Sequence, residues 1–260
     1  MLCLVQCAAP ACPEPQDLHE QATGALLDRE FSGPDLAYLL LNENGRVVAQ
    51  RWEHPELDAP VGSLLKPFLA AAYGQTHAAF PKFRCIGKKT CWLMRGHGTL
   101  QIREAIAYSC NSYFHQLVAN AGPGFARALN TYALHDPGFQ GDDLAQATAA
   151  PLALSRAYLE LTHHPRDTPV VPVLQGMALS AQKGTGKAAG TALHVAILTK
   201  TGTAPCIHAK KASGDGFAMV MSPADHPREI LLVRLHGRPG AIAAGVAGRM
   251  IAAIEGIDNK

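Results

Sequence analysis

Apolar residues group into strands at both ends of the chain and helices between them. Residues 37–52 are predicted as two strands joined by a turn at Asn42-Glu43-Asn44-Gly45, because Asn-Gly is a strong hairpin signal. Residues 63–73 are predicted as an apolar helix, and residues 100–165 as mainly helical. Toward the end, apolar runs predict three strands and a closing helix, at residues 195–203, 217–222, 230–236 and 241–254.

This order predicts an α+β fold. Strands from distant parts of the chain would form an antiparallel sheet flanked by helices, with a helical lobe inserted between them. The chain has 260 residues and 48% hydrophobic content, which suffices for a large core within one domain. Residues 1–35 are predicted as a poorly ordered N-terminal segment, and residues 36–260 as the folded domain.

The net charge and the hydropathy of the chain limit which kinds of partner the sequence predicts. The formal net charge is +2 and no long Lys/Arg run occurs, so the composition argues against a nucleic-acid partner. No apolar run reaches the roughly 18 residues of a membrane span. Residues 1–15 have no basic start and only a short apolar stretch, so no clear signal peptide is predicted.

Three short motifs follow one another along the chain and carry candidate chemistry. Ser63-Leu64-Leu65-Lys66 places a serine nucleophile one helical turn from an amine. Ser109-Cys110-Asn111 adds a second hydroxyl and an amide, and Lys200-Thr201-Gly202 adds a cationic strand edge. A second S-x-x-K at residues 180–183 lies after S-x-N, so the order of the motifs selects Ser63.

These motifs and their neighbours resemble the transpeptidase domain of penicillin-binding proteins, within the serine β-lactamase and penicillin-binding superfamily. The segment 60–68 is similar to the family's P-G-S-x-x-K-P-F, with Val61 inserted, and Thr203-Ala204 extends the K-T-G motif as in the family. Gly96-His97-Gly98 and Ser112-Tyr113-Phe114 are similar to the residues around its S-x-N. The resemblance covers about residues 36–255, which identifies residues 36–260 as a transpeptidase-like catalytic domain.

The resemblance implies a D,D-transpeptidase or D,D-carboxypeptidase that acts on D-Ala-D-Ala peptides of peptidoglycan and is acylated by β-lactams. It implies no cofactor or metal, a place in the cell envelope or periplasm, and a cell-wall enzyme as a partner. Crosslinking members usually carry a membrane anchor and a pedestal domain, and only about 35 residues precede the first predicted strand here. A free-standing catalytic domain is one interpretation of this difference.

The resemblance also assigns roles to individual residues. Ser63 would be the nucleophile and Lys66 its base, with an amine pKa lowered by burial and by Lys200. Ser109 would relay the proton to the leaving group, and Asn111 would hold the substrate amide and help to fix Lys66. The substrate carboxylate would bind at Lys200, Thr201, Gly202 and Thr203, and the N–H groups of Ser63 and Thr203 would form the oxyanion hole.

Other interpretations of the motifs stay open. A serine β-lactamase would need a deacylating base, yet the chain lacks the E-x-x-L-N of class A and carries S-x-N rather than the S-x-V of class D. A non-catalytic protein of the same fold that binds peptidoglycan or β-lactams is a further alternative. Ser63 as a helix cap, S-x-N as an ordinary turn and K-T-G as a plain strand end are the structural interpretations. Gly184-Thr185-Gly186-Lys187 is predicted to be a turn rather than a phosphate loop.

Seven cysteines leave the redox compartment open. Cys85, Cys91 and His97 are evenly spaced, but no fourth ligand stands at a recognised spacing for zinc. A disulfide between Cys85 and Cys91, or free thiols, is therefore the favoured prediction, and Cys110 is predicted to be a small buried residue. The remaining N-terminal cysteines, Cys3, Cys7 and Cys12, fall in the segment predicted to be poorly ordered.

Overall fold

The computed structural model describes residues 18–132, 147–206 and 214–256. In these residues the strands are β1 (Leu36–Leu41), β2 (Val47–Gln50), β3 (Ala59–Pro60), β4 (Phe83–Cys85), β5 (Gly98–Leu100), β6 (Thr148–Ala149), β7 (Leu198–Ala204), β8 (Asp215–Ser222) and β9 (Glu229–Leu235). The helices are α1 (Leu18–Glu30), α2 (Lys66–Thr76), α3 (Ile102–Ala107), α4 (Asn111–Ala119), α5 (Phe125–Asn130), α6 (Pro151–His163), α7 (Val171–Lys183), α8 (Lys187–Gly190) and α9 (Gly240–Ile254).

Five strands form one antiparallel sheet in the order β2-β1-β9-β8-β7. Leu36 of β1 pairs with Leu235 of β9, and Leu41 pairs with Ile230, so the two ends of the chain meet in the middle of the sheet. The predicted hairpin turn is present, because Gly45 N–H donates to Asn42 O and Asn42 N–H donates to Arg46 O. The α+β architecture with a sheet built from distant segments is confirmed.

Both faces of the sheet are covered. The six residues of β1 are all buried, and they alternate between two cores as the two-residue period of a strand requires. Leu39 and its alternate neighbours face the inserted helices, whereas Tyr38 and Leu40 face the layer that contains α1 and α9. The sheet is therefore the middle layer of the molecule.

The helical lobe lies between β2 and β7 in the sequence. Helix α2 packs against α4 and α5, and α3 packs against α7, which also contacts β7. Phe68 of α2 contacts Tyr158 of α6 edge to face at 4.8 Å. The small antiparallel pair of β4 and β5 packs beside α4.

Two predictions differ from the structure. The N-terminal segment 1–35 was predicted to be poorly ordered, but α1 is a helix whose Leu27 is fully buried. Glu20 pairs with Arg46 at 2.6 Å and Tyr38 donates to Asp28 at 2.9 Å, so α1 is held to the sheet by polar contacts as well as by Leu27. Residues 1–17 lie outside the described residues.

The predicted helix at residues 63–73 is divided in the structure. A 3-10 turn at Gly62–Leu65 precedes α2, which continues to Thr76.

Among the described residues, no helix is both long enough and apolar enough to cross a bilayer.

Candidate active site

Ser63 and Lys66 lie at the junction between the 3-10 turn and α2. Lys66 is the first residue of α2 and Pro67 follows it, where a helix needs no backbone N–H donor. The cap position of the 3-10 turn is Val61, without a side-chain hydrogen bond, so Ser63 does not act as the cap. The Ser63 side chain is half-buried and lines the cleft described below.

Two glycines allow the 3-10 turn at Gly62–Leu65 to lie directly against β7. Gly62 has φ +52°, and a Cβ there would come within 2.8 Å of Thr203 O. A Cβ on Gly202 would come within 2.9 Å of Val61 O, a distance that real Cβ contacts avoid. The K-T-G motif therefore needs glycine at position 202 for a steric reason, because two backbone segments approach each other closely there.

The S-x-N motif brings two more polar groups to Lys66. Ser109 adopts φ +50°, which is unusual for a residue with a side chain, and Asn111 begins α4. Lys66 is fully buried, and its Nζ donates to Ser109 O at 2.9 Å, Ser109 Oγ at 3.3 Å and Asn111 Oδ1 at 2.5 Å. Among the described residues, none of its hydrogen bonds reaches the Ser63 hydroxyl.

Lys200 meets the same serine from the side of the sheet. It is fully buried, and its Nζ donates to Ser109 Oγ at 2.8 Å and to Thr201 O at 2.6 Å. Thr201 Oγ1 donates to Thr185 Oγ1 at 2.6 Å, whereas the exposed Thr203 accepts from Gly240 N–H at 3.2 Å. Ser109 Oγ is thus shared by both lysines.

Burial changes the acid-base properties of both amines. Desolvation lowers the pKa of Lys66 to about 7, although the nearby Cys110 and Cys91 act in the opposite direction. Desolvation also lowers the pKa of Lys200 well below its ordinary value, and the neighbouring charge of Lys66 adds to this shift. Two adjacent ammonium groups in a buried site repel each other, so a neutral amine is accessible at this position near neutral pH.

One cleft of about 440 Å³ is lined by Ser63, Ser109, Asn111, Thr201, Gly202 and Thr203. The two motif lysines, Lys66 and Lys200, are fully buried and do not line it. The sequence did not indicate the other walls, which are formed by Trp92, Thr185 and the segment 239–241. Trp92 donates its indole N–H to the carbonyls of Tyr108 and Ser109, each at 3.2 Å, which places its ring over the S-x-N turn. No Asp or Glu of the described residues lines this cleft.

Two motifs that the sequence analysis set aside have structural roles. Ser180 of the second S-x-x-K is fully buried, and its hydroxyl accepts from Thr199 Oγ1 and from Gly186 N–H. Residues 184–186 form the predicted turn between α7 and α8. Of these residues, Thr185 reaches the cleft, and only the tertiary structure reveals this.

Three thiols and an imidazole form a donor cluster behind the S-x-N turn. Cys91 Sγ lies 3.5 Å from His97 Nδ1 and 3.9 Å from Cys110 Sγ, and Cys85 Sγ lies 3.6 Å from His97 Nδ1. All four donor atoms lie within 4.8 Å of one another. The prediction for Cys85 and Cys91 was a disulfide or free thiols, and the structure has free thiols.

This donor cluster fits Zn²⁺. Tetrahedral zinc with bonds of 2.3 Å to sulfur and about 2.0 Å to nitrogen places its ligand atoms roughly 3.5 to 3.8 Å apart. The fourth ligand that the sequence analysis lacked is Cys110, which was predicted only to be a small buried residue. Burial lowers the pKa of His97, which favours the neutral imidazole that a metal requires. A bound ion would tie the β4–β5 hairpin to the S-x-N turn.

No protein-family model matches the chain, and no curated protein matches it. Several solved structures, in contrast, are similar to the chain. Penicillin-binding protein PBP2 of Pseudomonas aeruginosa, in complex with WCK 5153, has a TM-score of 0.73 at 16% identity, covering 91% of this chain and 74% of that one. The transpeptidase domain of FtsI4 D,D-transpeptidase from Legionella pneumophila gives 0.68 at 18% identity, covering 95% and 99%.

A third similar structure is the complex between PBP2 and MreC from Helicobacter pylori, with a TM-score of 0.77 at 12% identity. The match covers 92% of this chain and 63% of that one. The chain therefore has the fold of penicillin-binding transpeptidase domains, as the motifs predicted. Identities of this size show the fold alone.

Proposed function

We propose that the chain is a penicillin-binding serine acyltransferase that acts on peptides ending in D-Ala-D-Ala through an acyl-enzyme on Ser63. One observation carries the proposal. Two fully buried lysines converge on Ser109 Oγ, next to a half-buried serine in a cleft. Burying two amines is costly, and such pairs with lowered pKa values are characteristic of sites that move protons.

In the acylation step, the neutral amine of Lys66 accepts the Ser63 proton while Ser63 Oγ attacks the penultimate carbonyl carbon. The N–H groups of Ser63 and Thr203 stabilise the oxyanion. Ser109 then passes a proton to the leaving D-alanine nitrogen, and its own proton is replaced through Lys66. With a β-lactam, the same attack opens the ring, and no leaving group departs.

The substrate carboxylate binds at the end of β7 in this proposal. Lys200 supplies the charge, although burial lowers its pKa, and an incoming anion favours its protonated form. Thr201, Gly202 and Thr203 supply the polar edge of the strand. Asn111 keeps its carbonyl oxygen on Lys66, which leaves its NH₂ group for the substrate amide.

The acyl-enzyme passes either to an amine acceptor, which is transpeptidation, or to water, which is carboxypeptidation. Both fit this site. The lack of an Asp or Glu lining the cleft among the described residues supports slow hydrolysis and disfavours the β-lactamase alternative.

The biological setting is part of the proposal. One similar structure is described as a peptidoglycan synthase complex and another as a complex of PBP2 with MreC. By analogy, we propose a place in the cell envelope, peptidoglycan stem peptides as substrates and a cell-wall protein as a partner. No cofactor takes part in the acyl transfer.

Labelling with a fluorescent penicillin tests the proposal. The purified protein is incubated with the drug, and the intact mass of the protein is measured. A covalent adduct raises this mass by the mass of the whole drug. Ser63→Ala is expected to abolish labelling. Ser180→Ala is the matched control, since it removes the serine of the other S-x-x-K motif and is expected to retain labelling.

The outcomes separate the three candidate functions. A stable adduct on Ser63 supports the acyltransferase, and rapid turnover of the drug points to a β-lactamase. A folded protein that forms no adduct would instead be a non-catalytic binding protein.

A further inference from the structure

Three side chains with metal-binding donor atoms meet at the edge of the sheet where β7 and β9 end and β8 begins. Cys206 follows β7 by two residues, Asp215 is the first residue of β8, and His236 directly follows β9. The antiparallel pairings of β7 with β8 and of β8 with β9 place these three strand ends side by side. We call Cys206, Asp215 and His236 the strand-end site.

The donor atoms of the strand-end site lie close together. His236 Nδ1 is 2.9 Å from Asp215 Oδ1 and 3.3 Å from Cys206 Sγ, and all three donor atoms lie within 4.8 Å of one another. A hydrogen-bonded relay through an imidazole uses one partner on each ring nitrogen. Here both partners face Nδ1, and Sγ lies farther from Nε2, at 3.9 Å. Donor atoms that converge on one point are the arrangement of a metal site rather than of a relay.

The three donors fit Zn²⁺. Tetrahedral zinc places a sulfur and a nitrogen ligand about 3.5 Å apart, and a nitrogen and an oxygen ligand about 3.3 Å apart. A small outward movement of the three side chains therefore makes room for the ion. One thiolate and one carboxylate neutralise its two charges. The mixture of sulfur, nitrogen and oxygen donors suits zinc better than Ca²⁺ or Mg²⁺, which take oxygen ligands.

Burial and access both favour an ion here. Asp215 is only 3% exposed although it carries a charge, and a buried carboxylate is costly unless it is paired or coordinates a metal. His236 lines a separate cleft of about 680 Å³, on whose walls two carboxylates balance two arginines. An ion can therefore enter from solvent, and water can supply a fourth ligand.

We propose that Cys206, Asp215 and His236 bind one Zn²⁺ ion, with water as the fourth ligand. This inference does not depend on the proposed acyl transfer. Three protein donors bind zinc less tightly than the four of the donor cluster behind the S-x-N turn. The strand-end site is therefore expected to fill when zinc is added, whereas the donor cluster is expected to retain its ion through purification.

The strand-end site adjoins the wall of the active-site cleft. Gly237 N–H donates to Asp215 Oδ1 at 3.2 Å, and Gly240 N–H donates to Thr203 Oγ1 at 3.2 Å. The segment that follows β9 thus connects the site to the end of β7, and a bound ion fixes three strand ends relative to one another. Zinc at about 100 times its dissociation constant is therefore expected to raise the thermal midpoint by roughly 5 °C.

Zinc uptake tests the proposal. The full chain is purified under reducing conditions and dialysed against a buffer that contains micromolar zinc. The metal content per chain is measured by mass spectrometry before and after dialysis, and the thermal midpoint is recorded in the same samples. The unsubstituted protein is expected to gain about one ion per chain over its content as purified.

Two variants assign the added ion to the strand-end site. Cys206→Ser removes the thiolate, and Asp215→Asn removes a charge but keeps an oxygen for the Gly237 N–H. Each is expected to lower the zinc affinity at least about tenfold and to lose the thermal shift. His226→Ala is the matched control, because His226 and Asp225 form an exposed His–Asp pair outside the site. This control should keep both the added ion and the thermal shift.

Two results would overturn the proposal. One is that the unsubstituted protein gains no zinc on dialysis. The other is a gain that Cys206→Ser and Asp215→Asn both keep, which would mean adventitious binding elsewhere on the chain. Circular dichroism of each variant shows that its fold is retained. Penicillin labelling of Ser63 in the same samples reports separately on the acyltransferase proposal.

Discussion

Lys66 is the residue on which the proposed chemistry depends most. Its amine is fully buried and has hydrogen bonds to Ser109 and Asn111. Burial lowers the pKa of this amine to about 7. Below that pH the amine is protonated and cannot accept the Ser63 proton. Above it the neutral form dominates, so the fraction of competent enzyme rises with pH.

We therefore expect penicillin acylation to be pH-dependent. The second-order rate constant should rise about tenfold per unit between pH 5 and 6.5 and level off above pH 8, as expected for one group with a pKa near 7. Stopped-flow measurement with a chromogenic or fluorescent penicillin provides the profile. A rate that is flat from pH 5 to 8 would contradict the role of Lys66 as the base.

A pair of variants separates charge loss at this site from charge loss in general. Lys66→Met replaces the aliphatic part of the side chain with one of the same length but removes the amine, and the acylation rate is expected to fall by at least about 10³-fold. Lys82→Met removes an exposed lysine that precedes β4, and its rate and pH profile should match those of the unsubstituted protein.

At the scale of elements, the donor cluster connects the β4–β5 hairpin to the start of α4. Cys85 ends β4, Cys91 and His97 lie in the loop before β5, and Cys110 directly precedes α4. Ser109 and Asn111, which hold Lys66, flank Cys110 in the chain. A metal ion that holds Cys110 in place would therefore also hold Ser109 and Asn111, the hydrogen-bond partners of Lys66, in place.

We expect the purified protein to contain about one zinc ion per chain, measured by mass spectrometry of the metals. Cys91→Ser should lose the metal and lower the thermal midpoint by roughly 10 °C, because a structural zinc site contributes several kcal/mol to folding. Penicillin acylation should fall with it. Cys12→Ser is the control, since Cys12 is not one of the four donors of this cluster, and it should keep the metal.

A protein that contains no metal after purification without chelators, and whose Cys91→Ser variant melts at the same temperature, would contradict a zinc site here. The cluster would then be three reduced thiols around His97.

The elements show which features a sequence can predict. The Asn-Gly turn of the first hairpin and the apolar runs of the last three strands are local signals, and each produced an element close to its predicted bounds. Helix α1 has no such signal, because Leu27 is its only buried apolar side chain and polar partners such as Arg46 lie elsewhere in the chain. Cys110, the fourth member of the donor cluster, was also missed, because only the tertiary structure brings it next to Cys91.

For the whole molecule, the sheet brings distant segments to one cleft. The 3-10 turn that carries Ser63 precedes α2, the S-x-N turn belongs to the helical lobe, and K-T-G lies on β7. The motifs could be recognised from the sequence because their residue types are constrained by chemistry and, at Gly202, by backbone contact. Trp92 and Thr185 carry no such constraint, so their places in the cleft follow from tertiary structure alone.

The composition of the whole cleft predicts the fate of the acyl-enzyme. Hydrolysis requires a base that activates water, and among the described residues no carboxylate lines the cleft. We therefore expect the penicilloyl-enzyme to persist for about an hour or longer, which corresponds to a barrier of about 22 kcal/mol.

A chase experiment measures this lifetime. The labelled protein is separated from free drug, and intact mass is recorded over several hours. A half-life of seconds, with catalytic release of hydrolysed drug, would contradict the expectation. It would mean that a group other than the residues lining the cleft activates water. A long half-life that shortens when a D-amino acid is added, with the penicilloyl group transferred to its amine, would favour transpeptidation over carboxypeptidation.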